Sequence, residues 1–527
     1  MWTGCFLIAL EAAGLRVIFP VASIPENISG QAINMNPQII SAAEFYGTMI
    51  PRRTAEDLNS IAHLKRFLEL ITGDSKFRKQ INANPTSASS LAKKRGIDVD
   101  LSKFSSKFEA EAPVSESKTE SPELPLAVLW KDWIADLLTF RRLIREDGYS
   151  NTADHRFNEW RKRQEERVKI EFGANKADAI THPIFSFELS KGCSVGCWFC
   201  GFSAESFKGH YQRTPKNVLL WRNILGTAVE LFGPAAQTGF CYGATEPFDN
   251  PNYLDFLEDY REIVGVLPQT TSAVPMRDLV WTRRLMEMQK LPPALPSRFS
   301  IISPRTLKEL HATFSPDELL RYELLMQLRG SSYGKARAGK TLKKVNAEGE
   351  SNAGLQVNSD ASSIACVSGF LVNMVDRTIY LVSPCQASDR WPLGYRVHAS
   401  GTFAGAKDFG DFIERSISER MPLELPSDLP VSYREALTYE QREDGFDLFS
   451  DYSVHSFTGP DHIRRLGDMI AEGKHQPADI VGALVDIGAD IFGIMGTLTD
   501  LYRKGFLEDM PGETGADQVV CIERQTA

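Results

Sequence analysis

The stretch Cys193-Ser-Val-Gly-Cys197-Trp-Phe-Cys200 follows the apolar run Ile184-Phe185-Ser186-Phe187-Glu188-Leu189. The run reads as a short buried strand. The three cysteines therefore sit on a loop leaving the end of a strand. Three thiolates spaced Cys-x3-Cys-x2-Cys can wrap one iron–sulfur cluster. Such clusters normally take four cysteines. A fourth is missing nearby, so one iron lacks a protein ligand, and chemistry is expected at that open iron. The competing readings are a zinc knuckle and plain buried thiols. Zinc usually takes a fourth Cys or His close by, and His210 is the only nearby choice.

The totals bound the rest. The 527 residues suffice for two or more domains. Apolar residues are 43% and charged residues 24%, an ordinary globular balance. A net charge of −9 argues against nonspecific nucleic-acid binding. The eight cysteines are too few and too uneven for a secreted disulfide framework, which suits a reducing, cytoplasmic setting. No apolar run has the length of a membrane span. Residues 1–34 hold two apolar stretches broken by Glu11 and Arg16, without the basic start of a signal peptide. They read as a disordered segment or a wrongly assigned start, with Met35 as the alternative beginning.

Organisation along the chain follows from composition and periodicity. Residues 1–53 form an N-terminal segment. In 54–101, Ile61, Leu64, Phe67, Leu68 and Ile71 recur at helical spacing. Residues 102–125 are a Ser-, Glu-, Lys- and Pro-rich linker, and 126–180 a helical lead-in. From 181 to 400, strand and helix alternate. Helices are expected at Thr214-Pro215 to Phe232, Tyr253 to Val264, Asp278 to Leu291, and from the capping box Ser315-Pro-Asp-Glu318 to Leu328. Strands are expected at Gln237 to Tyr242, Gln269 to Val274 and Arg298 to Ser303. Repeated βα units imply a parallel sheet with helices outside and a site at the strands' carboxyl ends. The polar insertion 331–362 reads as disordered or as a lid. Strands Ile364 to Val375 and Thr378 to Val382 follow, the second leading into Ser383-Pro384-Cys385. Residues 401–527 end in a helix, a Gly505 turn and an apolar stretch, the pattern of a winged helix, which reads DNA or binds peptides. The acidic total favours a peptide.

The cysteine triplet, with Phe199 before its third member, resembles the radical S-adenosylmethionine (SAM) enzymes. The segment Gly243-Ala-Thr-Glu246-Pro247 is similar to the Gly-Gly-Glu-Pro strand end of that family, with one extra residue and one Gly fewer. The resemblance implies an α/β fold, a partial (β/α)6 radical SAM barrel with helical N-terminal and C-terminal extensions. It implies a [4Fe–4S] cluster on Cys193, Cys197 and Cys200, with SAM as cosubstrate on the fourth iron. It assigns Phe199, Gly243 and Glu246 to the SAM site, and Ser303 by position alone. Cleavage of SAM by one electron then yields a 5′-deoxyadenosyl radical.

The lone Cys385, with the Glu-Pro-Phe-Asp-Asn-Pro stretch from Glu246 to Pro251, looks like the proteusin-type radical SAM peptide epimerases. Residues 67–97 are similar to nitrile-hydratase-like leaders of ribosomal peptide natural products. The resemblance implies conversion of L- to D-residues in a ribosomally synthesised precursor peptide with a leader. Cys385 returns the hydrogen, with Cys366 as the second choice, and a flavodoxin- or ferredoxin-like protein is the one-electron reductant. Cys385 is expected on the same side as the triplet. A structural thiol, a thioether- or carbon–carbon-crosslinking enzyme, and a cluster-containing peptide-binding sensor stay open as alternatives.

Overall fold

Phe185 and Phe187 alternate with Ser186 and Glu188, so a strand here presents an aromatic face and a polar face. That strand forms, and the rest of its sheet is sided accordingly. The computed structural model describes residues 40–105, 125–150, 154–348 and 366–509. Expectations for residues 1–34, most of the linker and 349–362 fall outside them.

In chain order the strands are β1 (Phe185–Glu188), β2 (Ser190–Lys191), β3 (Gly209–His210), β4 (Thr271–Ser272), β5 (Arg298–Ser300), β6 (Glu323–Leu325), β7 (Gly369–Asn373), β8 (Thr378–Pro384), β9 (Tyr395–Thr402), β10 (Thr438–Arg442), β11 (Gly445–Phe449) and β12 (Val454–Thr458). The longer helices include α1 (Ala55–Gly73), α2 (Pro125–Asp147), α3 (His155–Phe172), α4 (Pro215–Phe232), α5 (Tyr253–Val264), α6 (Gly339–Glu348), α7 (Asp461–Glu472), α8 (Pro477–Val485) and α9 (Ile491–Arg503). The chain divides into two units, one of residues 1–144, 265–335 and 350–356, the other of 145–264, 336–349 and 357–527.

The first unit holds the parallel sheet β4-β5-β6. Helix α1 is buried almost all round, with Ile61, Leu64, Phe67, Leu68 and Ile71 inside. From Ile61 on, its polar residues are matched rather than exposed. Lys65 donates to the Leu319 carbonyl at 3.1 Å, and His311 meets Glu69 at 3.1 Å. The helix expected from Ser315 to Leu328 stops after Leu319. Its capping box forms, but Glu323, Leu324 and Leu325 pair with β5 instead. Sheet pairing there outweighs local propensity.

The second unit holds the four-stranded sheet β1-β7-β8-β9. β1 pairs in parallel with β7, and its Ser186 bridges Phe240 in parallel on the other side. β8 and β9 run antiparallel. The aromatic face of β1 packs on α4: Phe185 lies 5.3 Å from Phe232 and Phe187 5.2 Å from Trp221. A separate core lies under β10-β11-β12 and α7, α8 and α9, around Phe446, Leu448, Leu466, Ile470 and Leu498.

The fold is mixed α/β, as expected, but its small sheets do not close into a barrel. The strand expected at 237–242 is a 3-10 turn over Gly233–Thr238 and then a bridge at Phe240. The polar insertion is not structureless throughout. Leu342 and Val345, three apart, bury one face of α6. Among the described residues no helix is long and apolar enough to cross a membrane.

Candidate functional site

The triplet lies where β1 runs out. The loop is held by its backbone: Cys193 donates its amide to the Glu205 carbonyl at 2.9 Å, and Ser203 to that of Cys200 at 3.1 Å. All three cysteines are half-buried thiols outside any disulfide. Amide groups aim at two of the sulfurs. Ala204 donates to Cys200 Sγ at 3.4 Å, and Val195 and Gly196 donate to Cys193. Burial pushes the Cys193 thiol up to about 11, and Glu246 adds to the effect. Burial, with Cys200 and Cys193 as neighbours, pushes Cys197 up to about 12. The thiols thus sense one another.

Among the described residues no three His, Cys, Asp or Glu side chains converge on a single metal ion. A cubane cluster instead spreads its thiolates over separate irons and is tuned by N–H···S bonds. Adjacent thiols with aimed amides fit that group.

The Glu-Pro turn docks against this loop. Glu246 is buried, at 2% exposure, and accepts the Phe248 amide at 3.3 Å. Asp249 accepts the Ser194 amide at 2.8 Å. Asn250, fully buried, donates to the carbonyls of Leu189 at 2.9 Å and Tyr211 at 3.1 Å. Asp249 and Asn250 were legible as part of the Glu246–Pro251 stretch, but not their task.

Glu188 escapes sequence reading altogether, since a strand-ending Glu has no distinguishing signal. It sits on the polar face of β1 and takes the Ala244 amide at 2.5 Å and Asn373 Nδ2 at 3.0 Å. Burial pushes its carboxyl up. A Cβ at Gly243 would lie 2.3 Å from Glu188 Oε1, so the one glycine kept in this turn has a steric reason. Ser186 donates to the Tyr242 carbonyl at 2.6 Å, so Tyr242, Ala244 and Glu188 share this face.

Phe199 is half-buried, 5.2 Å from Trp198 edge to face, and its carbonyl accepts a hydrogen bond from Thr341. Ser303 belongs to the first unit. Its hydroxyl caps the helix Pro304–Thr313, accepting the Thr306 amide at 3.0 Å.

Cys385 follows the end of β8. β8 is antiparallel to β7 and so to β1: Leu381 pairs with Phe370, and Phe370 with Phe185. Beyond the strand end Cys385 packs with Phe240 and Tyr242. It is 1% exposed, in a cluster with Phe240, Tyr242, Trp391, Leu393 and Tyr395. Cys366 packs half-buried against the same cluster. Burial first, and the Glu171 carboxylate next, push the Cys385 thiol up, so it stays protonated. Burial pushes up the Tyr395 phenol, and Glu188 and Cys385 add to it; Tyr395 packs in the same apolar cluster as Cys385.

Fold and site together define a mixed α/β protein with a tri-cysteine loop beside a buried carboxylate and a separate buried thiol after a strand of the same sheet. The chain belongs to the family of the "Uncharacterized protein y4wI" of Sinorhizobium fredii (strain NBRC 101917 / NGR234). The two are 39% identical over 470 residues, 88% of this chain and 91% of that protein. No family model matches the chain. No solved structure matches it either.

Proposed function

We propose that this chain is a radical SAM enzyme that inverts L-residues in a ribosomally made precursor peptide. The observation that carries the reading is the placement of the two kinds of cysteine. The triplet leaves the carboxyl end of β1, and Cys385 packs with Tyr242 and Tyr395 on the sheet face that carries Ser186 and Glu188. Inversion at Cα needs a hydrogen taken from one side and another returned from the opposite side. A radical-forming loop and a separate buried thiol suit that demand.

Cys193, Cys197 and Cys200 would hold a [4Fe–4S] cluster. With SAM on its open iron, that group supplies the electron that splits SAM into methionine and the 5′-deoxyadenosyl radical. Glu246, buried beside the thiols, would accept hydrogen bonds from the SAM amine. Cys385, kept as a thiol by burial, gives its S–H hydrogen atom to the substrate Cα. The resulting sulfur radical takes back an electron and a proton, and one further electron goes back to the group that cleaved SAM; a flavodoxin- or ferredoxin-like protein would supply both electrons. A partial (β/α)6 radical SAM barrel is part of the same proposal. The parallel pairings of β1 with β7 and with Phe240 support it. A reducing cytoplasm would suit the half-buried thiols of the triplet.

The C-terminal segment supports a peptide partner. Phe492 on α9 is 80% exposed, with Ile491 and Met495 exposed beside it. A helix that reads nucleic acid carries basic residues at such positions.

The test is anaerobic reconstitution with iron, sulfide, SAM and reductant. Wild-type protein is expected to form deoxyadenosine, and with precursor peptide in deuterated water to add one deuteron per inverted residue. Cys385→Ala is expected to form deoxyadenosine without releasing D-residues. Normal epimerisation by the variant would remove Cys385 from the mechanism. Loss of two hydrogens per event would mark crosslinking instead, and absence of deoxyadenosine a sensor.

A further inference from the structure

The first turn of a helix leaves amide groups without partners inside the helix. In α6 these amides reach two different loops. Gly339 donates to the Pro392 carbonyl at 2.7 Å, and Lys340 to the Cys200 carbonyl at 2.9 Å. The Thr341 hydroxyl, fully buried, donates to the Phe199 carbonyl at 3.0 Å. Lys344 lies 5.3 Å from the Trp198 ring. One helical turn therefore grips both the triplet loop and the turn that follows Cys385.

The grip continues to Cys385 through the backbone. Pro392 sits between Trp391 and Leu393, both packed with Cys385. Gly394 donates to the Trp391 carbonyl at 2.9 Å, and Cys385 donates to the Gly394 carbonyl at 3.1 Å. On the far side, Gln386 donates its amide to Glu171 at 2.9 Å. A continuous set of hydrogen bonds runs from Cys200 through α6 to Cys385.

Only glycine serves at the junction. Gly339 has φ +55°, and a Cβ there would lie 2.2 Å from the Gly201 carbonyl oxygen and 2.6 Å from that of Cys200. Both partners are backbone, which cannot swing aside as a side-chain tip would. The close approach is what lets the Gly339 and Lys340 amides serve carbonyls of two loops.

We propose that the amino-terminal turn of α6 is a clasp that sets the Cys385 turn in register with the tri-cysteine loop, with Gly339 and Thr341 as positioning residues. This rests on the epimerase reading for its purpose, since a donor out of register would leave radicals unquenched. Its physical content, that the two cysteine-bearing segments move together, is independent of any cluster.

The experiment measures iodoacetamide alkylation of each cysteine in the full-length, reduced, cluster-free protein, by peptide mass spectrometry. Gly339→Ala is expected to raise the rates at Cys200 and Cys385 together, by about tenfold, through the strain of a side chain in the left-handed region. Thr341→Val is expected to raise both by about fivefold, the effect of one lost hydrogen bond, and Thr341→Ser to restore wild-type rates. Buried Cys241, which the clasp does not touch, should not change. Acceleration at Cys200 with Cys385 unchanged overturns the proposal. An equal rise at Cys241 in both variants also overturns it, because it marks general unfolding. In reconstituted protein, Thr341→Val should form more deoxyadenosine per D-residue than wild type, and Thr341→Ser should not. A wild-type protein that assembles no cluster would sink the epimerase reading and leave the alkylation result standing.

Discussion

Replacing Cys197 with alanine is expected to leave a folded protein that retains under about a tenth of wild-type iron and sulfide and forms no detectable deoxyadenosine. The fold should survive because the loop is held by backbone bonds, such as Cys193 to Glu205 and Ser203 to Cys200, and not by its sulfurs. Cys197 is half-buried and belongs to none of the unit's apolar core clusters. The metal should not survive. With three thiolates, a four-iron cluster already keeps one corner open, and a second bare corner leaves only two anchors on an eight-residue loop. The measurements are iron and sulfide content after anaerobic reconstitution, the electron paramagnetic resonance of the reduced protein, and circular dichroism for the fold. Retained iron with wild-type deoxyadenosine would remove the triplet from the site. Zinc uptake without sulfide by the wild type would return the knuckle to consideration.

The loop that carries the triplet was legible because an apolar strand followed by a Gly- and Ser-containing turn is a local property, written within a few residues. The helices α1, α4 and α5 were legible for the same reason: caps and 3.6-residue periodicity are local signals. The errors are all of longer range. The expected helix to Leu328 failed because β5 offered Glu323, Leu324 and Leu325 a sheet partner that their own neighbourhood does not reveal. Helix α6 was hidden in a polar stretch, since two buried residues, Leu342 and Val345, are too few to show as a pattern. The direction of the strand that leads to Cys385 was not legible, for a topological reason. Alternating βα units suggest parallel strands, whereas β7, β8 and β9 form an antiparallel meander. Glu188 was missed because its partners, Ala244 and Asn373, are 56 and 185 residues away in the chain.

Replacing Glu171 with glutamine is expected to destabilise the second unit by about 3 kcal/mol, the range found when one member of a buried ion pair is removed. Glu171 is 1% exposed and pairs with Arg434, itself 1% exposed, and with Arg396 at 3.5 Å. Around them, Arg396 reaches Glu508 at 3.0 Å, and Arg167 reaches Asp509 at 2.7 Å. Glutamine keeps the shape but leaves the guanidiniums of Arg434 and Arg396 short of one charge in a site without water contact. At two to four degrees per kcal/mol, melting should fall by about 10 °C. The pH dependence distinguishes lost charge from lost packing. Burial works to raise Glu508, yet the guanidiniums of Arg396, Arg167 and Arg434 outweigh it and hold the carboxyl at about 2. Burial likewise opposes ionisation of Glu171, and Arg434 and Arg396 hold it below its usual range. A depressed carboxylate contributes its full stability above the unfolded value of about 4.3, and loses it as pH falls through the folded value. In that window the unfolded chain binds more protons, so stability rises with pH. Wild-type stability in urea should therefore drop between about pH 4.5 and 2. The gap to Glu171→Gln should shrink over the same window, since protonation removes from the wild type what the substitution has already removed. A gap that stays constant down to acid pH would mean that Glu171 acts through shape alone. Because Glu171 also accepts the Gln386 amide next to Cys385, the same substitution should loosen the Cys385 turn, measurable as faster alkylation of that thiol in the variant at neutral pH.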